Sequence, residues 1–219
     1  MSLDIQLKNG LILAFPTPVL RQHVADAETI NPPLKAEILK RAKASPGVVR
    51  YNVGGWRSAD DLLTWPLPEI ETLKKAINKT VAQLTQLSIG QSGKTVRGEM
   101  NAIAWASVCR KGDYVKPHIH PLSTWSGVYI VSGEENTEGH PESGAAEFLD
   151  PRPATNQLPT PGSPFGGTLR IKPAPGLIFV HPGWLSHFVH PYQGKGERIA
   201  IGFNIFIRGA ALVDSEADG

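Results

Sequence analysis

The chain has 219 residues, 41% of them hydrophobic, and its 22 basic and 20 acidic side chains leave a formal net charge of +2. That length suits one domain with a full core, and the near balance of charge gives no electrostatic footprint for nucleic acid or a membrane surface. No stretch approaches the roughly eighteen consecutive apolar residues of a membrane-spanning helix, and the single Cys109 excludes an internal disulfide.

The N-terminus, Met1 to Leu7, lacks a basic segment followed by an apolar run, so no secretory signal is read and the expected compartment is the cytoplasm. Residues 3 to 15 read as a first strand, with Leu3, Ile5 and Leu7 alternating, and Phe15-Pro16-Thr17-Pro18 ends it. A helix is expected from about Pro32, capped by Asn31, with Leu34, Ile38, Leu39 and Ala42 forming one stripe, and Ser45-Pro46-Gly47 stops it. Asn52-Val53-Gly54-Gly55-Trp56-Arg57-Ser58 is a Gly-bearing loop, and Ser58 with Asp61 signals a capping box for a short helix over 59 to 63. A longer helix fits 69 to 88, where Ile70, Leu73, Ile77, Val81, Leu84 and Leu87 recur at helical spacing. Both helices are expected on the outside of a sheet.

From Lys94 the period becomes that of strands. Segments near 97–108, 115–120, 124–132, 145–149, 167–172, 177–180, 185–190 and 197–207 are each bounded by turn residues, and the chain's 22 glycines and 19 prolines concentrate from residue 139 onward. Eight such segments predict a mainly β fold with flanking helices, a double-stranded β-helix or cupin-like jelly roll. Residues 150–166 read as one long functional loop, and the acidic tail after Arg208 as frayed. The organisation is one domain over 1–219: a supporting N-terminal region to residue 95, a jelly-roll core over 96–208 and the tail over 209–219.

The chemistry centres on Pro117-His118-Ile119-His120-Pro121. In an extended segment His118 and His120 share one face, about 6 to 7 Å apart at Cα, so the two rings can chelate one metal; imidazole suits Zn, Fe, Cu or Ni. A third ligand is offered by His187. A turn centred on Tyr192 to Gly194 would set His187 opposite Arg198 on one face and turn His190 to the other, which favours His187. Arg198 would then lie beyond the metal, where a guanidinium anchors the far carboxylate of a bound oxo-diacid. His23 and His140 read as solvated, and His181 as packed or hydrogen-bonded. Asp150-Pro151-Arg152 reads as a salt-bridged turn. Trp125, Trp184 and Tyr192 read as core residues rather than pocket formers.

Asp113-Tyr114 with Pro117-His118-Ile119-His120-Pro121, Ser126-Gly127-Val128-Tyr129, Phe148-Leu149-Asp150-Pro151-Arg152, Pro182-Gly183-Trp184-Leu185-Ser186-His187 and Arg198-Ile199 before Phe203-Asn204, together with the Gly-bearing loop Asn52-Val53-Gly54-Gly55-Trp56-Arg57-Ser58, resemble the bacterial Fe(II)/2-oxoglutarate-dependent oxygenases of the prolyl-hydroxylase-like branch. The resemblance runs from about residue 50 to 207. It implies a hydroxylase in which Fe(II) is held by His118, His120 and the distal His187. Arg198 binds the 2-oxoglutarate carboxylate, Tyr129 helps to hold this co-substrate, and Asn101, Trp105 and Asn204 line the same pocket. Oxidative decarboxylation of 2-oxoglutarate by O2 would then drive hydroxylation of a small-molecule or peptide substrate, with no nucleic acid or membrane partner; a homodimer is compatible with the sequence. His120 departs from the family, which has Asp or Glu there; either it ligates as a third imidazole, or Asp113 or Asp150 supplies the carboxylate. Two alternatives stay open: a three-His cupin-type dioxygenase that does not use 2-oxoglutarate, and a metal-free jelly-roll binding protein.

Overall fold

The computed structural model describes residues 15–89, 94–152 and 168–214. The predicted strand over 3–15 and most of the long loop over 150–166 lie outside the described residues. Strand β1 (Leu20–His23) precedes helix α1 (Ala27–Ala44), the short strands β2 (Asn52–Val53) and β3 (Trp56–Arg57), a 3₁₀ turn at Leu62–Thr64 and helix α2 (Pro68–Ile89). Eight further strands follow: β4 (Lys94–Cys109), β5 (Tyr114–His118), β6 (Trp125–Ser132), β7 (Ala146–Phe148), β8 (Leu169–Ile171), β9 (Leu177–Pro182), β10 (His187–Val189) and β11 (Arg198–Asp214). They match the eight segments read from the sequence.

The strands form two antiparallel sheets, a large one in the order β1-β9-β6-β11-β4-β3 and a smaller one in the order β2-β5-β10-β7-β8. This is the double-stranded β-helix, with both helices packed outside the large sheet. Alternation along β11 shows how the layers are built. Ile199, Ile201, Phe203 and Ile205 enter the helix-side core with Leu34, Ile38, Leu73 and Ile77, while Arg198, Ala200, Gly202 and Asn204 turn to the space between the sheets. On the neighbouring β4, Ala104, Ala106 and Val108 face the helices, and Ile103, Trp105 and Ser107 face inward. Small residues on the helix side let the helices approach, and small residues on β11 leave room for a cavity. No helix among the described residues is long and apolar enough to cross a membrane.

Several expectations need correction. Helix α1 begins at Ala27, not Pro32, because Ile30 extends the buried stripe of Leu34 and Ile38 by one turn; Pro32 and Pro33 lie inside the helix. Asn31 is therefore no cap. Ser58 does not cap a helix either, since its Oγ accepts the Ala106 N–H (3.0 Å). Leu87, counted in the apolar stripe of α2, is 65% exposed. The strand β11 runs past Arg208 to Asp214, paired with the start of β4, so the tail is ordered six residues further than expected. Most consequentially, the strands carrying His187 and Arg198 do not form a hairpin: β10 pairs with β5 and β7 in one sheet, and β11 with β4 and β6 in the other.

Candidate active site

His118 ends β5 and His187 opens β10, and the two are direct cross-strand partners. His120 lies two residues on, in a loop held by its own N–H to the Gly183 carbonyl (2.8 Å). One nitrogen from each of the three imidazoles lies within 4.8 Å of the others, a spacing that can hold a metal ion. Their ring centroids are 4.4, 5.0 and 5.2 Å apart. Nδ1 of His118 sits 2.8 Å from the Lys116 carbonyl and Nδ1 of His187 sits 2.9 Å from the Leu185 carbonyl. A carbonyl only accepts, so Nδ1 carries the proton in both rings and Nε2 keeps a free lone pair. Burial lowers the His118 pKa. Burial, then the neighbouring His187 and His118, pushes His120 down to about 3, and burial, then His118, pushes His187 down to about 4. All three rings are thus in the neutral form that binds metals.

The sites left open by the sequence resolve as follows. His190 belongs to a different cluster, with Nε2 2.7 Å from Glu147 Oε2. Asp113 accepts the Arg110 N–H (2.7 Å), Asp150 pairs with Arg152 (2.7 Å), and neither lines the cavity beside the histidines. Among the described residues the three histidines are the one cluster with metal-ligand spacing. His181 is fully buried, its Nδ1 3.0 Å from the Pro182 carbonyl and its ring 4.6 Å from that of His187.

The cavity between the sheets has a volume of about 240 Å³, and Arg198, Trp105 and Asn204 line it together with the three histidines. Arg198 is 3% exposed, and its Nε donates to the Gly144 carbonyl (2.8 Å). Among the described residues no carboxylate pairs with it. Burial pushes its pKa down, opposed by Cys109 and Tyr192, yet a guanidinium stays protonated. A buried cation without a counter-charge is costly, so this wall of the cavity calls for an anion. Asn204, on the same face of β11, has an Oδ1 that is buried without a partner among the described residues.

Two residues assigned to the co-substrate pocket do not reach it. Tyr129 points to the opposite face of β6, fully buried in the helix-side core, where its hydroxyl donates to Asn31 Oδ1 (2.6 Å); its neighbour Val128 is the one that lines the cavity. Asn101 is exposed on β4 and its side chain donates to Glu99 (3.0 Å). Sequence reasoning did not place the Gly-bearing loop and its flanks at the cavity: Asn52 and Arg57 of the loop, with Arg50, Tyr51 and Asp60 beside it, line the cavity. The signal was the pair Gly54-Gly55, both at positive φ (64° and 61°), where an added Cβ would strike Asp113 or the Val108 carbonyl. A turn that tight against the core marks a loop fixed in place rather than a free connection.

Residues 103–204 match the family model described as "Putative 2OG-Fe(II) oxygenase". No curated protein is detectably similar to the chain in sequence. Among solved structures the fold resembles a Pseudomonas putida prolyl-4-hydroxylase, at 16% identity and a TM-score of 0.62, covering 87% of this chain and 93% of that one. It also resembles HygX from Streptomyces hygroscopicus, solved with nickel and 2-oxoglutarate bound, at 11% identity and a TM-score of 0.59, covering 88% of this chain and 84% of that one. A third likeness is the viral collagen prolyl hydroxylase of Paramecium bursaria Chlorella virus-1 in its 2-oxoglutarate complex, at 12% identity and a TM-score of 0.53, covering 85% and 94% of the two chains.

Proposed function

We propose that this chain, whose residues 103–204 match the 2OG-Fe(II) oxygenase family model, is a hydroxylase that holds Fe(II) with His118, His120 and His187 and anchors the distal carboxylate of 2-oxoglutarate with Arg198. The observation that carries the reading is a buried guanidinium, without a carboxylate partner among the described residues, on the cavity that the three neutral imidazoles also face. The fit to iron rests on the donor set: three imidazoles, two with the proton fixed on Nδ1, suit a divalent first-row metal. Three neutral ligands leave the full charge of the ion in place, and Arg198 adds another. A dicarboxylate dianion complements both.

When bound, Fe(II) and 2-oxoglutarate supply the hard chemistry: O2 is consumed, 2-oxoglutarate becomes succinate and CO2, and oxygen enters a C–H bond of the substrate. The chain supplies placement. His118 and His187 hold their Nε2 lone pairs in fixed directions because backbone carbonyls fix the other nitrogen. Arg198 fixes one end of the co-substrate by a charge-assisted contact. Ala200 and Gly202 keep the floor of the cavity low between Arg198 and Asn204, and Val115, Val128, Phe179 and Val189 make its walls dry. Arg50 and Tyr51, just before the Gly-bearing loop, line the cavity as well.

A three-His centre that works without 2-oxoglutarate is the competing reading, favoured by the lack of a carboxylate ligand among the described residues. It leaves the buried charge of Arg198 without a role. Incubating iron-loaded protein with 2-oxoglutarate and O2 separates the two: the proposed function requires iron-dependent formation of succinate, and the competing one gives none.

A further inference from the structure

The three ligand rings are not held in the same way. His118 and His187 each have Nδ1 fixed by a backbone carbonyl, whereas the His120 ring makes no hydrogen bond among the described residues. It lies instead beside the indole of Trp105, ring centroids 5.6 Å apart and planes 30° from parallel. Trp105 is itself fixed on two sides. Beneath it lies Gly202, its cross-strand partner on β11, where an added Cβ would come within 2.6 Å of the indole. Above it the Arg57 guanidinium sits 4.5 Å from the ring centroid. Arg57 is 11% exposed, donates from Nη1 to the Ser58 carbonyl (2.8 Å) and pairs with Asp60.

The geometry points to Trp105 and Arg57 as the positioning residues of His120: a column of guanidinium over indole, seated on Gly202 and with the imidazole against its side, does for this ligand what a carbonyl hydrogen bond does for the other two. The physical case rests on what an unrestrained imidazole must give up. A ligand ring free to rotate about χ1 and χ2 loses that freedom on binding a metal, and outer-shell partners that fix it beforehand typically contribute 10- to 100-fold in metal affinity. Arg over an indole is a favourable contact, stronger where water is excluded. Gly202 lets the indole lie flat against β11, so the height of the column is set by backbone. Arg57 comes from the Gly-bearing loop, outside the stretch 103–204 that carries the family match. This loop thus completes a centre whose ligands lie elsewhere. Tyr51, the residue just before this loop, stacks on His118 (4.6 Å, 18°).

The inference rests on His120 being a metal ligand, so the test separates the two claims. Fe(II) affinity is measured anaerobically by chelator competition for the native protein, Trp105→Ala, His120→Ala and the double variant. The expected result is a 10- to 100-fold loss for Trp105→Ala, a loss for His120→Ala, and a double variant that binds no more weakly than His120→Ala alone, because Trp105 acts through His120. Trp105→Phe, which keeps a ring in the column, recovers most of the affinity. Native affinity in Trp105→Ala, or a double variant whose loss is the product of the two single losses, overturns the positioning role. Native affinity in His120→Ala overturns the ligand assignment and the positioning role with it. Where Trp105→Ala does not fold, Arg57→Gln and Gly202→Ala disturb the column from above and below with the indole kept, and each is expected to lower Fe(II) affinity only when His120 is present.

Discussion

His187 and Arg198 lie in different sheets and face one cavity from opposite sides, His187 on β10 of the smaller sheet and Arg198 on β11 of the larger. The proposed metal ligand and the proposed anion anchor are thus joined through the packing of the whole sandwich, not through one hairpin. A ligand that spans them must match the spacing of the sheets, which the core of Ile130, Phe148, Phe179 and Leu185 fixes.

The first consequence concerns which histidines bind. His118→Ala and His187→Ala are each expected to lower Fe(II) binding by at least 100-fold, by analogy with the cost of losing a ligand rather than an outer-shell partner. His190→Ala is expected to leave it within about twofold, because His190 is engaged with Glu147 outside the cluster. Metal content after anaerobic reconstitution checks this. A His190→Ala protein without iron would reassign the third ligand.

Tyr129 gives the opposite kind of prediction. Its hydroxyl serves Asn31 on α1 across the helix-side core. Tyr129→Phe should therefore cost about 0.5 to 1.5 kcal/mol in unfolding free energy, since a part-buried hydrogen bond is lost and Asn31 loses its donor. Its affinity for 2-oxoglutarate should be unchanged. Denaturant unfolding beside a 2-oxoglutarate titration measures both, and weakened 2-oxoglutarate binding in a stably folded Tyr129→Phe would return the residue to the pocket.

The metal-free protein should lose stability on mild acidification. Folding lowers the pKa of His120 to about 3 and of His187 to about 4, below the ordinary value of 6.5, so the unfolded chain takes up protons first as pH falls. Stability is full above about pH 6.5 and declines from there toward the folded-state values, at up to about 1.4 kcal/mol per pH unit for each group. The thermal midpoint of metal-free protein between pH 7 and 5 reads this before most carboxylates titrate. A flat profile over that range would show that the rings are not buried as described.

How much of this was legible in the sequence depends on what each inference needed. The eight strands of the core were readable because each has a local pattern and a turn at either end. The pair His118 and His120 was readable because HxH on a strand is a local geometry, and His187 rather than His190 joins their cluster although the hairpin used to choose it does not exist. That hairpin failed for a physical reason: in a double-stranded β-helix, consecutive strands often cross between sheets, so β10 and β11 are neighbours in sequence and not in hydrogen bonding. Tyr129 was misplaced because Val128-Tyr129-Ile130-Val131 is apolar throughout, on a strand covered on both faces, and such a run carries no alternation to say which residue faces which way. Arg57 carried no local signal of its role at all. Its partner Trp105 is 48 positions on in the chain, and only the pairing of β3 with β4 brings the two elements together.

The most direct test of the account is an anaerobic titration of metal-stripped protein, first with Fe(II) and then with 2-oxoglutarate, following the weak visible charge-transfer band of a 2-oxo acid chelated to iron. Arg198→Ala is titrated beside it. The account predicts a band in the native protein and a requirement for about 10- to 100-fold more 2-oxoglutarate in the variant, the size expected for loss of a charge-assisted contact. Iron binding with no band at any 2-oxoglutarate concentration, or a band that forms equally well without the Arg198 guanidinium, would contradict it.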